Sequence, residues 1–236
     1  MKLSIIVPCY NEQNTINEII NKILKADINI EKEIIIVDDC SKDKTEKILR
    51  KNFSDNEKIR IFFHTKNSGK GAAIKTAKKY LTGNIILIQD ADLEYDPQDY
   101  QKLILPIINN KSKIVYGSRV LNQKRYSASG FTSKLRVFGN HFLTIISNYL
   151  NNQKLTDAHT CYKVFEKEVF DKITLEENDF AFCPEVTTKI SKLGYKIIEV
   201  PINYNGRSYK EGKKIKFIDA FRALITLVKY RIKKLD

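Results

Sequence analysis

Four acidic residues stand on alternate positions in one short stretch. Asp90, Asp92, Glu94 and Asp96 follow the apolar run Ile85 to Ile88 in IILIQDADLEYDP. On an extended backbone alternate side chains share a face, so Asp90, Asp92 and Glu94 would point the same way. Carboxylates crowded on one side repel one another unless a cation lies between them. Oxygen donors of this kind suit a hard divalent ion, Mg²⁺ or Mn²⁺. The alternative is a solvated acidic turn. For Asp96 that alternative holds, because Asp before Pro97, with Asp99 three residues on, makes an N-cap with proline at the first helical position. For Asp90 and Asp92 the position at the end of an apolar strand favours the metal.

The rest of the chain is basic. Its 236 residues carry a formal net charge of +13, and from Val186 to Asp236 there are 13 Lys and Arg against 4 Asp and Glu. A basic C-terminal fifth suits an anionic partner such as phosphate, nucleic acid or acidic lipid headgroups; a solvated lysine-rich face is the plain alternative. With 42% hydrophobic and 29% charged residues, the composition is that of an ordinary globular protein. No run of about 18 apolar residues occurs, so no stable transmembrane segment is expected. MKLSIIVPCYNE does not read as a signal peptide, and a cytoplasmic location is expected. Cys9, Cys40, Cys161 and Cys183 are scattered without CxxC pairs, the usage of reduced structural thiols.

The elements that must position the carboxylates alternate regularly. LSIIVP, EIIIVDD, IRIFFH, IILIQD and KIVYGS are short apolar runs separated by helical patterns such as NTINEIINKIL and GKGAAIKTAKKYL. That alternation predicts an α/β fold with a mostly parallel sheet covered on both faces. Each run ends in polar residues: Asn11 and Glu12, Asp38 and Asp39, Asn67, Asp90 and Asp92, Ser118 and Arg119. Ligands of open α/β sheets bind beyond those strand ends. Further on, a small-residue loop is expected at Ser127 to Ser133, then an amphipathic helix with Leu135, Phe138, Phe142, Ile145 and Tyr149 on one stripe. HTCYKVF and YKIIEVPINY read as strands flanking a helix near Glu185 to Leu193. A last helix, Ile215 to Leu235, aligns Ile218, Phe221, Ile225, Val228 and Ile232, with Arg222, Lys229 and Lys233 elsewhere. The two amphipathic helices either lie among lipid headgroups, with their Lys and Arg facing acidic lipid, or pack on the core. The chain reads as one domain.

Other phosphate-binding schemes fit poorly. There is no GxxxxGK[ST]. The Gly-rich NSGKGAAI follows the third strand and has Ile74 where a dinucleotide fingerprint needs a small residue. A nucleic-acid-binding protein would leave the acidic cluster unexplained, and RNA-binding and zinc-finger signatures are missing.

Taken together, IVPCYNEQNTI, IIIVDDCSKDKT, NSGKGAAI, QDADLEYDP, YGSR and TDAHTCYKVF resemble the family 2 glycosyltransferases of GT-A fold, in the branch of dolichyl-phosphate mannose synthase and bacterial polyprenyl-phosphate glycosyltransferases. The resemblance spans residues 3 to 217. It implies a single domain over 1–236, with a nucleotide-sugar-binding half at 1–120, an acceptor-binding half at 121–214 and a basic amphipathic helix at 215–236. It further implies that Asp38 and Asp39 contact the base and ribose, Asp39 the more directly, and that Pro8, Tyr10 and Glu12 line the same pocket. By the same resemblance, Gly69, Lys70 and Gly71 begin the helix beside the donor, and Asp90, Asp92 and Glu94 hold the metal.

The implied reaction is inverting transfer of a hexose from a UDP- or GDP-sugar to a polyprenyl phosphate at the membrane surface. Such an acceptor is already an anion, so it needs cations rather than a general base. Arg119, Arg207, Lys213 and Lys214 could supply them. A sugar-hydroxyl acceptor would instead require a carboxylate base. Glu185 is the first candidate for that role and Asp157 the second, while His159 reads as structural. A non-catalytic nucleotide-sugar binder is a further alternative.

Overall fold

The computed structural model describes residues 1–121, 131–207 and 217–234. Lys213, Lys214 and most of the expected Ser127–Ser133 loop lie outside the described residues.

In chain order the elements are β1 (Lys2–Cys9), α1 (Ile16–Lys25), β2 (Glu31–Asp38), α2 (Thr45–Phe53), β3 (Ile59–Phe63), α3 (Lys70–Lys78), β4 (Ile85–Ile88), α4 (Tyr100–Ile108), β5 (Ile114–Ser118), α5 (Phe131–Asn151), β6 (Lys163–Glu166), α6 (Lys167–Asp171), α7 (Phe182–Lys192), β7 (Ile198–Pro201) and α8 (Phe217–Ile232). The strands form one sheet in the order β3-β2-β1-β4-β6-β5-β7. β1, β2, β3 and β4 are mutually parallel, and β7 runs parallel to β5. Among the described strands β6 alone is antiparallel, wedged between β4 and β5.

Strands at the middle of such a sheet are covered on both faces, which explains their unbroken apolar runs. Leu3, Ile5, Ile6 and Val7 of β1 and Ile34 to Val37 of β2 have no exposed surface. Helices cover them through stripes spaced three and four apart, as in Ile16, Ile19, Ile20 and Ile23 of α1. Chain order reverses at β1, whose neighbours are β2 and β4. Between diverging strands at that point a crevice opens beyond the carboxyl ends.

α5 begins at Phe131, inside the expected loop. α5 and α8 pack on each other and on α7, yet their large apolar stripes turn outward. Phe138, Phe142, Ile145 and Tyr149 of α5 are exposed, as are Phe221, Ile225, Val228 and Ile232 of α8. The faces turned inward are smaller or more polar: Leu143, Thr144, Ser147 and Asn151 on α5, and Ala223, Thr226, Leu227 and Tyr230 on α8. Of the two placements left open by the sequence, packing of the apolar stripe on the core is not what the fold adopts. The side chains of Leu135 and Ile218 lie outside the described residues.

Candidate active site

The ends of β1, β2 and β4 place the acidic residues around one crevice, and each end carries a residue in the left-handed region. Asn11, Cys40 and Leu93 have φ of 51°, 62° and 62°. Asparagine tolerates this conformation, whereas Cys and Leu adopt it against a steric cost. Leu93 also corrects the extended-strand expectation. β4 stops at Ile88, and the chain then turns, with the Glu94 amide donating to Asp92 Oδ1 at 3.2 Å. The turn, not strand alternation, brings the carboxylates together. Asp96 behaves as expected, accepting from the Gln98 amide at 3.1 Å with Pro97 in the first helical position.

Two cations sit on these carboxylates. Lys70, the first residue of α3, donates to Asp90. Burial disfavours its ammonium, but Asp90 outweighs that and raises its pKa. Arg207 bridges the other side: Nη2 meets Asp92 Oδ2 at 2.9 Å and Glu12 Oε1 at 3.2 Å, and Nη1 meets Glu12 Oε2 at 3.1 Å. Asp92 still carries more negative surroundings than one guanidinium offsets. Burial first, then Asp90 and Glu94, push its carboxyl up to about 7.

Glu94, expected as a third metal ligand, holds the segment that carries Arg207. Its Oε2 accepts from the Tyr204 hydroxyl at 2.8 Å, its Oε1 from the Arg207 amide at 2.6 Å, and its carbonyl from the Asn205 amide at 2.9 Å. Glu12 likewise has a structural task besides Arg207, since Thr15 Oγ1 donates to its Oε2 at 2.8 Å. Asp90 and Asp92, whose partners are the side-chain cations Lys70 and Arg207, remain the candidate pair for a divalent ion. Two hard carboxylates crowded in a half-buried crevice are oxygen donors of the kind that suits Mg²⁺ or Mn²⁺.

Residues silent in the sequence hold this pair in place. Gln89 is fully buried and accepts from the hydroxyls of Tyr100 and Tyr162 at 2.7 and 2.6 Å. Its amide then donates to the Asp90 carbonyl at 2.9 Å. A glutamine adjoining an acidic pair gives no signal of this role, because both tyrosines come from distant elements.

The two aspartates at the end of β2 divide their work in a way the sequence did not foretell. Asp39 Oδ2 accepts from the Gly69 amide at 2.6 Å, and its Oδ1 accepts from Ser68 at 2.9 Å and contacts His64 Nδ1 at 2.7 Å. It ties the end of β2 to the start of α3. Asp38 accepts from Ser41, while its Oδ2 is buried without a partner among the described residues, and burial raises its pKa. Asp38 is therefore the aspartate with accepting capacity left over. Pro8 is the penultimate residue of β1, paired with Val37, and Tyr10 follows the strand, half-buried at the same crevice.

Arg119 is clasped by Asp157, with Nε and Nη2 bonding its two oxygens at 2.6 and 2.7 Å. Burial would raise the Asp157 carboxyl, but Arg119 holds it down at about 2. The guanidinium also lies 5.1 Å from the centroid of the Tyr204 ring. Asp157, the second candidate base, is thus 1% exposed and committed to orienting Arg119. Glu185, the first candidate, has no exposed surface: its oxygens accept from the amides of Glu176 and Glu177 at 2.7 and 3.0 Å, and Lys189 Nζ lies 2.8 Å away. It braces the loop before α7 rather than facing the crevice. His159 Nε2 is buried without a partner among the described residues, and burial, followed by Lys163, lowers its pKa to about 4.

A seven-stranded, mostly parallel sheet with its carboxylates beyond the β1/β4 switch point belongs to the GT-A class of α/β proteins. The same architecture occurs in glucosyl-3-phosphoglycerate synthase from Mycobacterium tuberculosis, solved with Mn²⁺, UDP and phosphoglyceric acid. The TM-score is 0.70 over 98% of this chain and 78% of that one, at 15% identity, a likeness of fold alone. Within that class, the chain belongs to glycosyl transferase family 2, whose pattern matches residues 4–174. It is a family 2 glycosyltransferase. Among its relatives, the UDP-N-acetylglucosamine--dolichyl-phosphate N-acetylglucosaminyltransferase of Methanococcus voltae is 29% identical over 98% of this chain and 96% of that protein. The dolichol-phosphate mannosyltransferase of Pyrococcus furiosus is 30% identical over 90% of this chain, which spans 59% of the relative's length.

Proposed function

We propose that this glycosyltransferase moves a hexose from a nucleotide-sugar, UDP- or GDP-linked, to a polyprenyl phosphate, with inversion and with a divalent metal. The observation that carries this reading is the position of Arg207, a cation suited to phosphate, directly on Asp92. Donor diphosphate and acceptor phosphate would therefore meet at one place. The names of the relatives, which specify dolichyl phosphate as acceptor, support the same reading. When bound to Asp90 and Asp92, Mg²⁺ or Mn²⁺ neutralises the charge that develops on the departing diphosphate.

The protein's own residues do the rest. Pro8, Tyr10, Glu12 and Asp38 border the nucleotide side of the crevice, with Asp39 fixing the turn into α3. Lys70 holds Asp90 in register. Arg119, oriented by Asp157, and Arg207 offer guanidinium groups matched to a phosphate in two-point contact. Lys213, outside the described residues, is proposed from the sequence alone as a further positive charge for the phosphate. A phosphate oxygen is already nucleophilic, so the reaction needs placement behind the anomeric carbon and no base. The burial of Glu185 and Asp157 accords with that requirement and disfavours a sugar-hydroxyl acceptor.

Among the described residues no helix is long and apolar enough to cross a membrane. The outward apolar stripes of α5 and α8 would instead seat the enzyme on the membrane surface that holds its acceptor, at the cytoplasmic face where nucleotide-sugars occur.

The test is transfer of radiolabelled sugar from UDP- and GDP-sugars to undecaprenyl phosphate, or to a soluble sugar, with Mn²⁺ or EDTA. The expected result is a lipid-extractable product, lost with EDTA. Transfer to the soluble sugar alone would overturn the acceptor, and full turnover in EDTA would overturn the metal.

A further inference from the structure

Arg207 occupies the place where its two proposed tasks conflict. Its guanidinium is bound to Asp92 and Glu12, carboxylates of the metal and nucleotide side of the crevice. Its assigned role toward the acceptor needs the same group on a phosphate. A divalent ion on Asp92 and a guanidinium on Asp92 compete for one carboxylate, so each weakens the other.

The local structure favours a side-chain exchange over a movement of the segment. Glu94 pins the backbone around Arg207 through the Tyr204 hydroxyl, the Asn205 amide and the Arg207 amide. Tyr95 and Tyr204 form an isolated antiparallel bridge that adds to the anchoring. The guanidinium itself is held less completely. Its Nε is buried without a partner among the described residues, a cost that a new phosphate partner would relieve. Arg119 lies over the ring of Tyr204, the residue three positions before Arg207 and bonded to the same Glu94. The two guanidines proposed for the acceptor thus belong to one small neighbourhood.

We infer that Arg207 is a positioning cation that passes from Asp92 to the acceptor phosphate when metal and nucleotide bind, so that donor binding prepares the acceptor site. The inference rests on the reading of Asp90 and Asp92 as the metal pair. In it, the cation that neutralises Asp92 before the donor arrives is the one that the acceptor then uses. Acceptor binding before the donor is disfavoured because Arg207 is still engaged. By thermodynamic reciprocity, the acceptor phosphate should also tighten the metal.

The test uses the full chain and reads binding, not turnover. Mn²⁺ is titrated into wild type, Arg207→Gln and Arg207→Lys without nucleotide, and free Mn²⁺ is followed by electron paramagnetic resonance. Arg207→Gln should bind Mn²⁺ about fivefold tighter or more, with Arg207→Lys between the two. In parallel, farnesyl phosphate binding is measured with and without Mn²⁺ plus UDP or GDP. Wild type should bind it more tightly when both are present, and Arg207→Gln should lose that coupling. Mn²⁺ affinity unchanged or weakened in a folded Arg207→Gln overturns the exchange while leaving the metal reading intact; if that variant does not fold, the same comparison is made with Arg207→Lys. Failure of wild type and both variants to take up Mn²⁺ with any nucleotide overturns the metal reading itself, and the exchange with it.

Discussion

Asp92 carries charge where charge is costly. Its side chain is only 16% exposed, and burial, Asp90 and Glu94 together lift its carboxyl to about 7. A carboxyl that is raised on folding binds its proton more tightly in the folded state, so stability falls as pH rises from about 4 through 7. Asp92→Asn removes that penalty. At pH 8 its melting temperature should exceed that of wild type, by about 2–4 °C for each kcal/mol recovered in a chain of this size. The difference should vanish towards pH 4. No gain at pH 8 would mean that Arg207 satisfies Asp92 completely. Asp157 has the opposite sign: Arg119 depresses its carboxyl to about 2, so its contribution is present above about 4 and is lost as pH falls towards 2. Asp157→Asn leaves a buried guanidinium unpaired and should cost about 3–5 kcal/mol at neutral pH by denaturant unfolding. Loss of less than about 1 kcal/mol would show that water or another residue takes over.

The loop before α7 shows how an element far along the chain fixes the crevice. The Asn178 carbonyl accepts from the Ala72 amide at 3.0 Å, and a Cβ at Gly69 or Gly71 would collide with the carbonyl oxygen of Asn178 or Glu177. Gly69 also has φ of +97°, a conformation that side chains resist. Close approach of the loop thus sets the start of α3, and with it Lys70 on Asp90. Glu185 anchors the loop, so Glu185→Gln should lower the melting temperature, leave Lys189 without its buried partner, and reduce turnover without shifting the pH profile of kcat. Disappearance of the acid-side ionisation in that profile would restore Glu185 as a base. The individual strands and helices were legible in the sequence because their apolar spacing is local. β6 between β4 and β5 was not, since pairing Val164 with both Leu87 and Val115 depends on non-local register. The acidic residues were legible as a cluster. Their geometry was hidden by Leu93, whose left-handed turn no local signal announces, and by partners such as Gln89, Tyr204 and Glu199 drawn from other elements. Glu199, for example, accepts from the Thr156 and Asp157 amides at 2.6 and 2.9 Å, fixing the turn that presents Asp157 to Arg119.

On the scale of the whole molecule, a basic charge and an outward apolar face make different predictions about membrane binding. One of the two placements left open by the sequence sets the cations of the last helix opposite acidic lipid. Three of them are instead engaged by the loop before α7: Lys229 with Glu177 at 2.7 Å, Lys233 with Glu176 at 2.6 Å, and Arg222 with Asp179 at 3.5 Å. Their attraction for a surface is correspondingly reduced, and exposed ion pairs are screened by salt. The apolar stripes remain, with Phe142 at 52% and Ile225 at 53% exposure on neighbouring helices. Inserting such side chains among acyl chains is worth about 1.5–3 kcal/mol each, more than the charges offer at physiological salt. Flotation with vesicles should therefore detect binding to neutral phosphatidylcholine, strengthened modestly by phosphatidylserine. The double variant Phe142→Asp/Ile225→Asp should lose at least about tenfold in vesicle affinity, the equivalent of about 1.4 kcal/mol, while its melting temperature stays near that of wild type because neither side chain is packed in the core. Binding that requires phosphatidylserine and disappears in about 0.5 M salt would make the basic charge, not the apolar face, the membrane anchor. A concentration-dependent dimer that abolishes flotation would assign the stripes to a second copy of the chain instead.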